Sequence, residues 1–315
     1  MSTSRRGFLG SAAAAWLAAE AVGAADDHDD APSSQPIVDT HVHLWDLSKL
    51  RLPWLDGAPE LNHSALWSDY RKATAGLNIA KAVYLEVDVD PAQHETEARL
   101  ICEIIRSGET ALVAAVIGGR PAAEGFNAYI EPMAKDPAVK GLRQVLHGGS
   151  TPPSYCLQPA FIKGIQRLGE LGLSFDLCMR HAELPDGVKL VEAAPGTQFI
   201  LDHCGNPPVF DDLSAWKRDI DRLAALPNIS GKVSGIVASA KGRSWKADDL
   251  APVIHHMLEA FGPDRVIFGG DWPVCTLGAP LREWVAALRE VVGDHNPELL
   301  RKLFHDNAIR IYRLG

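Results

Sequence analysis

Eight short runs rich in β-branched and other apolar residues recur along this chain, and their alternation with helical patterns constrains the fold more than any other feature. The runs are IVDTHVH (37–43), AKAVYLEVD (80–88), ALVAAVIGG (111–119), KGLRQVL (140–146), LSFDLCMR (173–180), QFILDHC (198–204), NISGKVSG (228–235) and RVIFGGD (265–271). Between most of them lie segments of helical periodicity, among them PAQHETEARLICEIIRSG, with Leu100, Ile101, Ile104 and Ile105 on one face, and PAFIKGIQRLGELG, APVIHHMLEAFG and PLREWVAALREVVG. Strand and helix in strict alternation imply a parallel sheet. Eight such units over about 280 residues suit a closed (β/α)8 TIM barrel, for which ~250 residues are typical. The alternative is a doubly wound open sheet, but no GxGxxG follows the first run.

Composition narrows the class. The chain has 315 residues, 46% hydrophobic and 23% charged, as in a globular protein with a large core. A formal charge of −9, with no long basic run, gives a nucleic-acid backbone no electrostatic footprint. The expected partner is a small-molecule substrate.

Residues 1–24, MSTSRRGFLGSAAAAWLAAEAVGA, place Arg5 and Arg6 ahead of an Ala-rich apolar stretch that ends in small residues. That pattern resembles a twin-arginine export signal. The stretch is short for a bilayer span and Glu20 interrupts it, so cleavage near Ala25 and a periplasmic location are expected, with no stable membrane insertion afterwards. Residues 25–36, ADDHDDAPSSQP, read as a solvated linker, and one domain spans 37–315. The five widely spaced cysteines include no CxxC pair and indicate no disulfide framework.

The chemistry-bearing residues lie at the ends of the runs. Side chains alternate along a strand, so His41 and His43 share a face, with Asp39 on the same row. Two imidazoles so placed can hold one divalent ion, and the C-terminal strand ends are where barrels of this kind gather functional groups. Asp271, in FGGDWPV, ends the eighth run and faces the same mouth if the barrel closes. It could equally cap a turn. His203, in LDHCGNPP, fits a proton donor or substrate contact, or a supporting histidine bonded to a carbonyl. Glu86 could supply an oxygen ligand or form a rim salt bridge, and Arg143 could grip a substrate carboxylate or carbonyl, or form a structural ion pair. Lys232, His147 and Arg180 are further candidates. Asp176, mid-strand, suits packing or a buried pair. The segment Trp45–Trp67 is expected over the mouth, with Trp54 and His63 as possible contacts.

The pieces DTHVHLWD, KGLRQ, LDHCGNPP, KVSG, FGGDWPV and NAIRIYRL, in that order over residues 37 to about 312, resemble the lactonase-type branch of the amidohydrolase superfamily. Its members are similar to sugar-acid lactonases, to hydrolases of muconolactone-like and pyrone-dicarboxylate lactones and, more distantly, to metal-dependent aromatic-acid decarboxylases. The resemblance implies a (β/α)8 barrel. It carries the metal-site pair onto His41 and His43, a metal ligand or general base onto Asp271, and a catalytic or substrate-facing histidine onto His203. The implied cofactor is one divalent ion, zinc or manganese, although some members of the branch work without one. A homodimer is in keeping with the branch. Two departures stand out: the fifth strand supplies no histidine before His181, and Gly270 replaces the usual serine before Asp271. The reading that follows is a lactone hydrolase, with a decarboxylase of the same superfamily, or a non-catalytic exported binding protein, as alternatives.

Overall fold

The computed structural model describes residues 35–149, 151–293 and 296–315. The export signal expected over 1–24 and the linker up to residue 34 lie outside the described residues. Eight parallel strands follow one another in sequence order around a nearly closed barrel. They are β1 (Ile37–Val42), β2 (Ile79–Leu85), β3 (Leu112–Gly118), β4 (Val139–Val145), β5 (Ser174–Cys178), β6 (Phe199–Leu201), β7 (Ile229–Val233) and β8 (Val266–Phe268). One helix follows each strand: α1 (Trp67–Ala73), α2 (His94–Ser107), α3 (Phe126–Met133), α4 (Pro159–Glu170), α5 (Leu184–Ala193), α6 (Ser214–Ala224), α7 (Ala247–Phe261) and α8 (Leu281–Val292). Two short helices, α9 (Pro297–Arg301) and α10 (Asn307–Ile311), end the chain.

Apolar residues divide between two regions, because a barrel strand buries both faces. Phe175, Phe199, Trp216 and Trp284 pack between the sheet and the helix ring. Val38, Val83, Val116, Ile200 and Ile267 fill the lower interior and meet Tyr312 from the C-terminal segment. Truncating one of these interior residues to alanine would cost about 2–5 kcal/mol, since neighbours held by eight strands collapse poorly onto a void. The five cysteines are buried free thiols. Among the described residues no helix is long and apolar enough to cross a membrane.

Two strands are cut back from their sequence runs more than the others, and the difference matters. β6 ends at Leu201 and β8 at Phe268. Beyond them the backbone turns left-handed at His203 (φ 52°), Cys204 (φ 53°) and Asp271 (φ 57°), which a ladder cannot accommodate. His203 and Asp271, both expected to carry chemistry, are among the residues that leave the extended conformation.

β1 departs from simple alternation as well. Val38 faces the barrel interior, whereas Asp39, expected on the row of His41 and His43, accepts from Tyr70 Oη of α1 at 2.9 Å. A register shift against β2 between Asp39 and Val42 restores the inward direction for His41. A local bulge of this kind re-aims a side chain without breaking the strand. Asp39 Oδ1 accepts the N–H groups of His41 (3.0 Å) and Gly270 (2.7 Å), so the carboxylate pins the bulge to the chain after β8.

Candidate active site

The seam between β1 and β8 brings three side chains together at the C-terminal mouth. Asp271 N–H donates to His41 O at 2.7 Å and His43 N–H to Trp272 O at 2.9 Å, so pairing with β1 continues after β8 has ended. A side chain at position 270 would put its Cβ 2.3 Å from Asp39 Oδ2, which explains glycine in place of serine there. The Nε2 atoms of His41 and His43 stand 3.1 Å apart. Asp271 Oδ1 lies 3.6 Å from the first and 3.4 Å from the second.

The surrounding hydrogen bonds assign the imidazole protons. His43 Nδ1 is 2.9 Å from Leu85 O, a pure acceptor, so Nδ1 donates and Nε2 presents its lone pair. Arg143 Nη1, a pure donor, is 3.2 Å from His41 Nε2, so that nitrogen also presents a lone pair. The His41 proton then sits on Nδ1, which faces Asp202 Oδ1 at 3.5 Å. Lys232 Nζ approaches the same Nδ1 at 3.3 Å, but its bonds at 2.8 Å go to Asp176 and Asp202. Burial, with Lys232 and His203 adding, lowers the His41 pKa well below the usual range despite Asp202, so the ring is neutral.

Two lone pairs and a carboxylate oxygen thus converge with no proton to share. The edges of a tetrahedron around an ion with ligands at ~2.0–2.1 Å are about 3.3 Å, and the observed spacings of 3.1, 3.4 and 3.6 Å bracket that value. Among the described residues, His41, His43 and Asp271 form one of two buried groups able to hold a metal ion, the other being His41, Asp202 and His203. Among the described residues Asp271 has no lysine or arginine within 4.0 Å, because Lys232 is paired with Asp176 and Asp202 and Arg143 with Glu86 and Asp202, so its charge is open to a cation. The donor set fits a divalent metal.

Glu86 does not join that set. Its Oε1 accepts from Arg143 Nε at 2.7 Å, its backbone oxygen from Nη2 at 2.6 Å, and its Oε2 from the Asp88 N–H at 2.7 Å. Arg143, on β4, is correspondingly committed to Glu86, Asp202 and His41, which leaves little of its fork for a substrate, although its edge still borders the mouth. The salt bridge open to Glu86 in the sequence is formed, with Arg143, but fully buried rather than at the rim.

Asp202 is the residue that sequence reasoning missed. Fully buried, it receives Lys232 at 2.8 Å and Arg143 at 3.3 Å and faces His41. Burial alone would raise its pKa, but Lys232 and His41 hold it well below the usual carboxylate range. The signal was available in alternation: Ile200 faces the interior, so Asp202, two residues on, does too. Asp176 forms the buried pair expected of a mid-strand acid, with Lys232 at 2.8 Å and Tyr312 Oη at 2.6 Å.

His203 borders the mouth, its ring centroid 4.5 Å from that of His41. Ser234 Oγ accepts its backbone N–H at 3.3 Å and stands 2.9 Å from its Nδ1. Gly235, at φ 68°, is required beside it, since a Cβ there would fall 2.3 Å from Nδ1. A cavity of about 520 Å³ opens above these groups and is walled by Trp54, Asp88, His147, Asn206 and Ser239, within the usual range for a small-molecule site. Burial, helped by the charges of His203 and Arg143, lowers the His147 pKa to about 4, so it too is neutral. Trp54 is held by its Nε1 donating to Val87 O at 2.7 Å. His63 offers only its carbonyl, to Trp45 Nε1, and does not line the cavity. Arg180 ties loops together through Thr151 O and Glu183 rather than facing the mouth.

A (β/α)8 barrel with a histidine pair closing β1 and an aspartate after β8 has the architecture of an amidohydrolase-type enzyme. The chain belongs to the amidohydrolase family, whose model matches residues 38–314. An L-fucono-1,5-lactonase of Burkholderia multivorans is 28% identical over 264 residues, covering 80% of this chain and 87% of that one. Among solved structures, amidohydrolase 2 from Bifidobacterium longum subsp. infantis is 28% identical, with a TM-score of 0.70 over 90% of this chain and 100% of its own. A Burkholderia multivorans amidohydrolase with bound zinc shares the fold at a TM-score of 0.76 and 23% identity, over 89% and 99% of the two chains.

Proposed function

We propose that the protein is a lactonase that opens the cyclic ester of a sugar acid or related hydroxy acid by adding water across the ring C–O bond. The observation that carries this is Asp271 Oδ1, 3.4 Å from His43 Nε2 at the floor of a walled, substrate-sized cavity. A carboxylate there, open to the cavity, is placed to take a proton from an attacking water.

His41, His43 and Asp271 would hold a divalent ion, zinc by the preference of that ion for two imidazoles and a carboxylate, or manganese. When bound it would supply Lewis-acid polarisation of the lactone carbonyl. The chain's own residues account for the remaining steps. The second oxygen of Asp271 receives the water proton as the new C–O bond forms. With Ser234 donating to Nδ1, His203 carries its proton on Nε2 and can donate it toward the oxyanion. The ring C–O bond then breaks, and the proton held by Asp271 passes to the departing alkoxide. Asp202 and Arg143 hold His41 in place beneath the reacting atoms, and Lys232 fixes Asp202. β5 offers the decarboxylase alternative no support, because its one inward acid, Asp176, is bonded to Lys232 and Tyr312.

A panel of aldonolactones and muconolactones followed with a pH indicator tests the reading. Acid release by wild type, lowered about 10²-fold or more in Asp271→Asn, is expected. Equal rates for the two proteins would remove Asp271 from the chemistry, and no release from any lactone would end the lactonase assignment.

A further inference from the structure

At the end of the barrel opposite His41, where the strands begin, a second cavity of about 330 Å³ opens. Its lining fixes its place: Ser174 starts β5, Ser230 is the second residue of β7, and Arg265 immediately precedes β8. Arg310 and Arg313, from the C-terminal segment, form its outer wall.

The charge in this cavity is uncompensated. Among the described residues, none of Arg265, Arg310 and Arg313 has a carboxylate within 4.0 Å. Lys140, at the start of β4, has none either, and burial together with the Arg313 charge lowers its pKa. Asp264, beside Arg265 in sequence, is taken by Lys302 at 3.0 Å and offers Arg310 only its carbonyl. Arg265 is held rigidly by the carbonyls of Ala224 (2.7 Å) and Leu226 (2.9 Å), so its charge is fixed in position. Arg313 donates from Nη2 to Gly172 O at 2.6 Å, and its other nitrogens are left for a ligand. In a chain of formal charge −9, this is a concentrated positive site.

We propose that this cavity binds a small multivalent oxyanion, a phosphate ester or a polycarboxylate, and that its occupancy reaches the catalytic end through Tyr312. Guanidinium groups match the paired oxygens of both ligand types. Tyr312 lies between the two outer arginines in sequence and donates to Asp176 Oδ2 at 2.6 Å. Lys232 Nζ is 2.8 Å from the same oxygen and 2.8 Å from Asp202 Oδ1, which faces His41 Nδ1 at 3.5 Å. Four contacts therefore join the cavity wall to His41.

Calorimetry on the full chain tests the binding with inorganic phosphate, propane-1,2,3-tricarboxylate and acetate as probes, independently of the lactonase reading. Phosphate or the tricarboxylate should bind at one site, and acetate should not; which of the two binds more tightly identifies the source. The R310Q/R313Q double variant should weaken binding at least about tenfold, whereas Arg313→Lys, which keeps the charge but loses the paired donors, should fall between it and wild type. No binding, or binding unchanged in the double variant, overturns the proposal. The coupling rests on the lactonase reading: saturating phosphate should shift KM for a lactone about fivefold in wild type. It should not do so in Tyr312→Phe, which still binds phosphate. An equal shift in the double variant would place the phosphate effect at the catalytic mouth and overturn the coupling.

Discussion

The Nε2 nitrogens of His41 and His43 face each other at 3.1 Å, and each presents a lone pair because its partner groups fix the proton elsewhere. Such a pair repels unless a cation lies between them. Protein prepared without chelator is therefore expected to carry about one equivalent of divalent metal per chain, measured by plasma mass spectrometry. His41→Asn and His43→Asn should each lower that figure by most of its value. Chelation should lower Tm, with zinc or manganese restoring it, since an ion bound only to the folded state stabilises it. A metal content near zero, with activity and Tm insensitive to chelator, would sink the metal site and leave the imidazoles to act directly.

Lys232 is fully buried and bonded at 2.8 Å to both Asp176 and Asp202. Its pKa is raised because those two carboxylates outweigh the burial that would lower it. Lys232→Met leaves Asp176 without a cation and Asp202 with Arg143 alone inside the barrel, and a loss of about 3–5 kcal/mol is expected. Urea denaturation measures it. Adding Asp176→Asn should recover part of the loss by removing one unpaired charge. A loss below ~1 kcal/mol for Lys232→Met would show that water or relaxation compensates the acids.

Most of the barrel and the outline of its site could be read from alternation, but the finer placement could not. All eight strands fall within one residue of their sequence runs at the N-terminal end, since each begins where apolar residues begin. Their C-terminal ends were not legible. His203 and Asp271 sit in left-handed backbone that apolar patterning does not encode. The bulge in β1 likewise moved Asp39 out of the row that strict period-two reading assigned to it. Glu86 and Arg143 were placed at the right strand ends, yet their partnership spans 57 residues and no local pattern reports it. Lys232 and Asp202 form the centre of the buried network for the same reason: each is ordinary in its own run, and only barrel closure brings them together.

Glu97 on α2 gives a pH dependence with a definite sign. Burial, with the Glu86 charge adding, raises its carboxyl from 4.5 to about 8, while its Oε1 accepts from Tyr84 Oη and Val87 N–H at 2.8 Å each. Between those two pH values the folded chain holds a proton that the unfolded chain has released. Its contribution is fully present below the lower value and is lost as pH rises through the upper one. Glu97→Gln keeps a neutral group that accepts the same two hydrogen bonds. The Tm of the variant relative to wild type should therefore climb by ~2 °C or more between about pH 5 and pH 9. A constant difference across that range would mean that Glu97 is ionised in the folded protein.

Gly235 tests how closely His203 must be placed. At φ 68°, with a methyl added there falling 2.3 Å from His203 Nδ1, Gly235→Ala has to displace either the ring or its own turn. A shift of about 1 Å in a proton donor can cost ~10²-fold in rate, whereas the backbone strain is worth roughly 1–3 kcal/mol of stability. Gly235→Ala should thus remain folded and lose most of its kcat with a smaller change in KM. Ser234→Ala, which removes only the hydroxyl 2.9 Å from Nδ1, should fall between it and wild type. Steady-state kinetics beside thermal melts separate the two effects. If Gly235→Ala melts like wild type and keeps kcat within about twofold, His203 does not donate to the oxyanion, and that role passes to His147, a neutral imidazole that also borders the cavity.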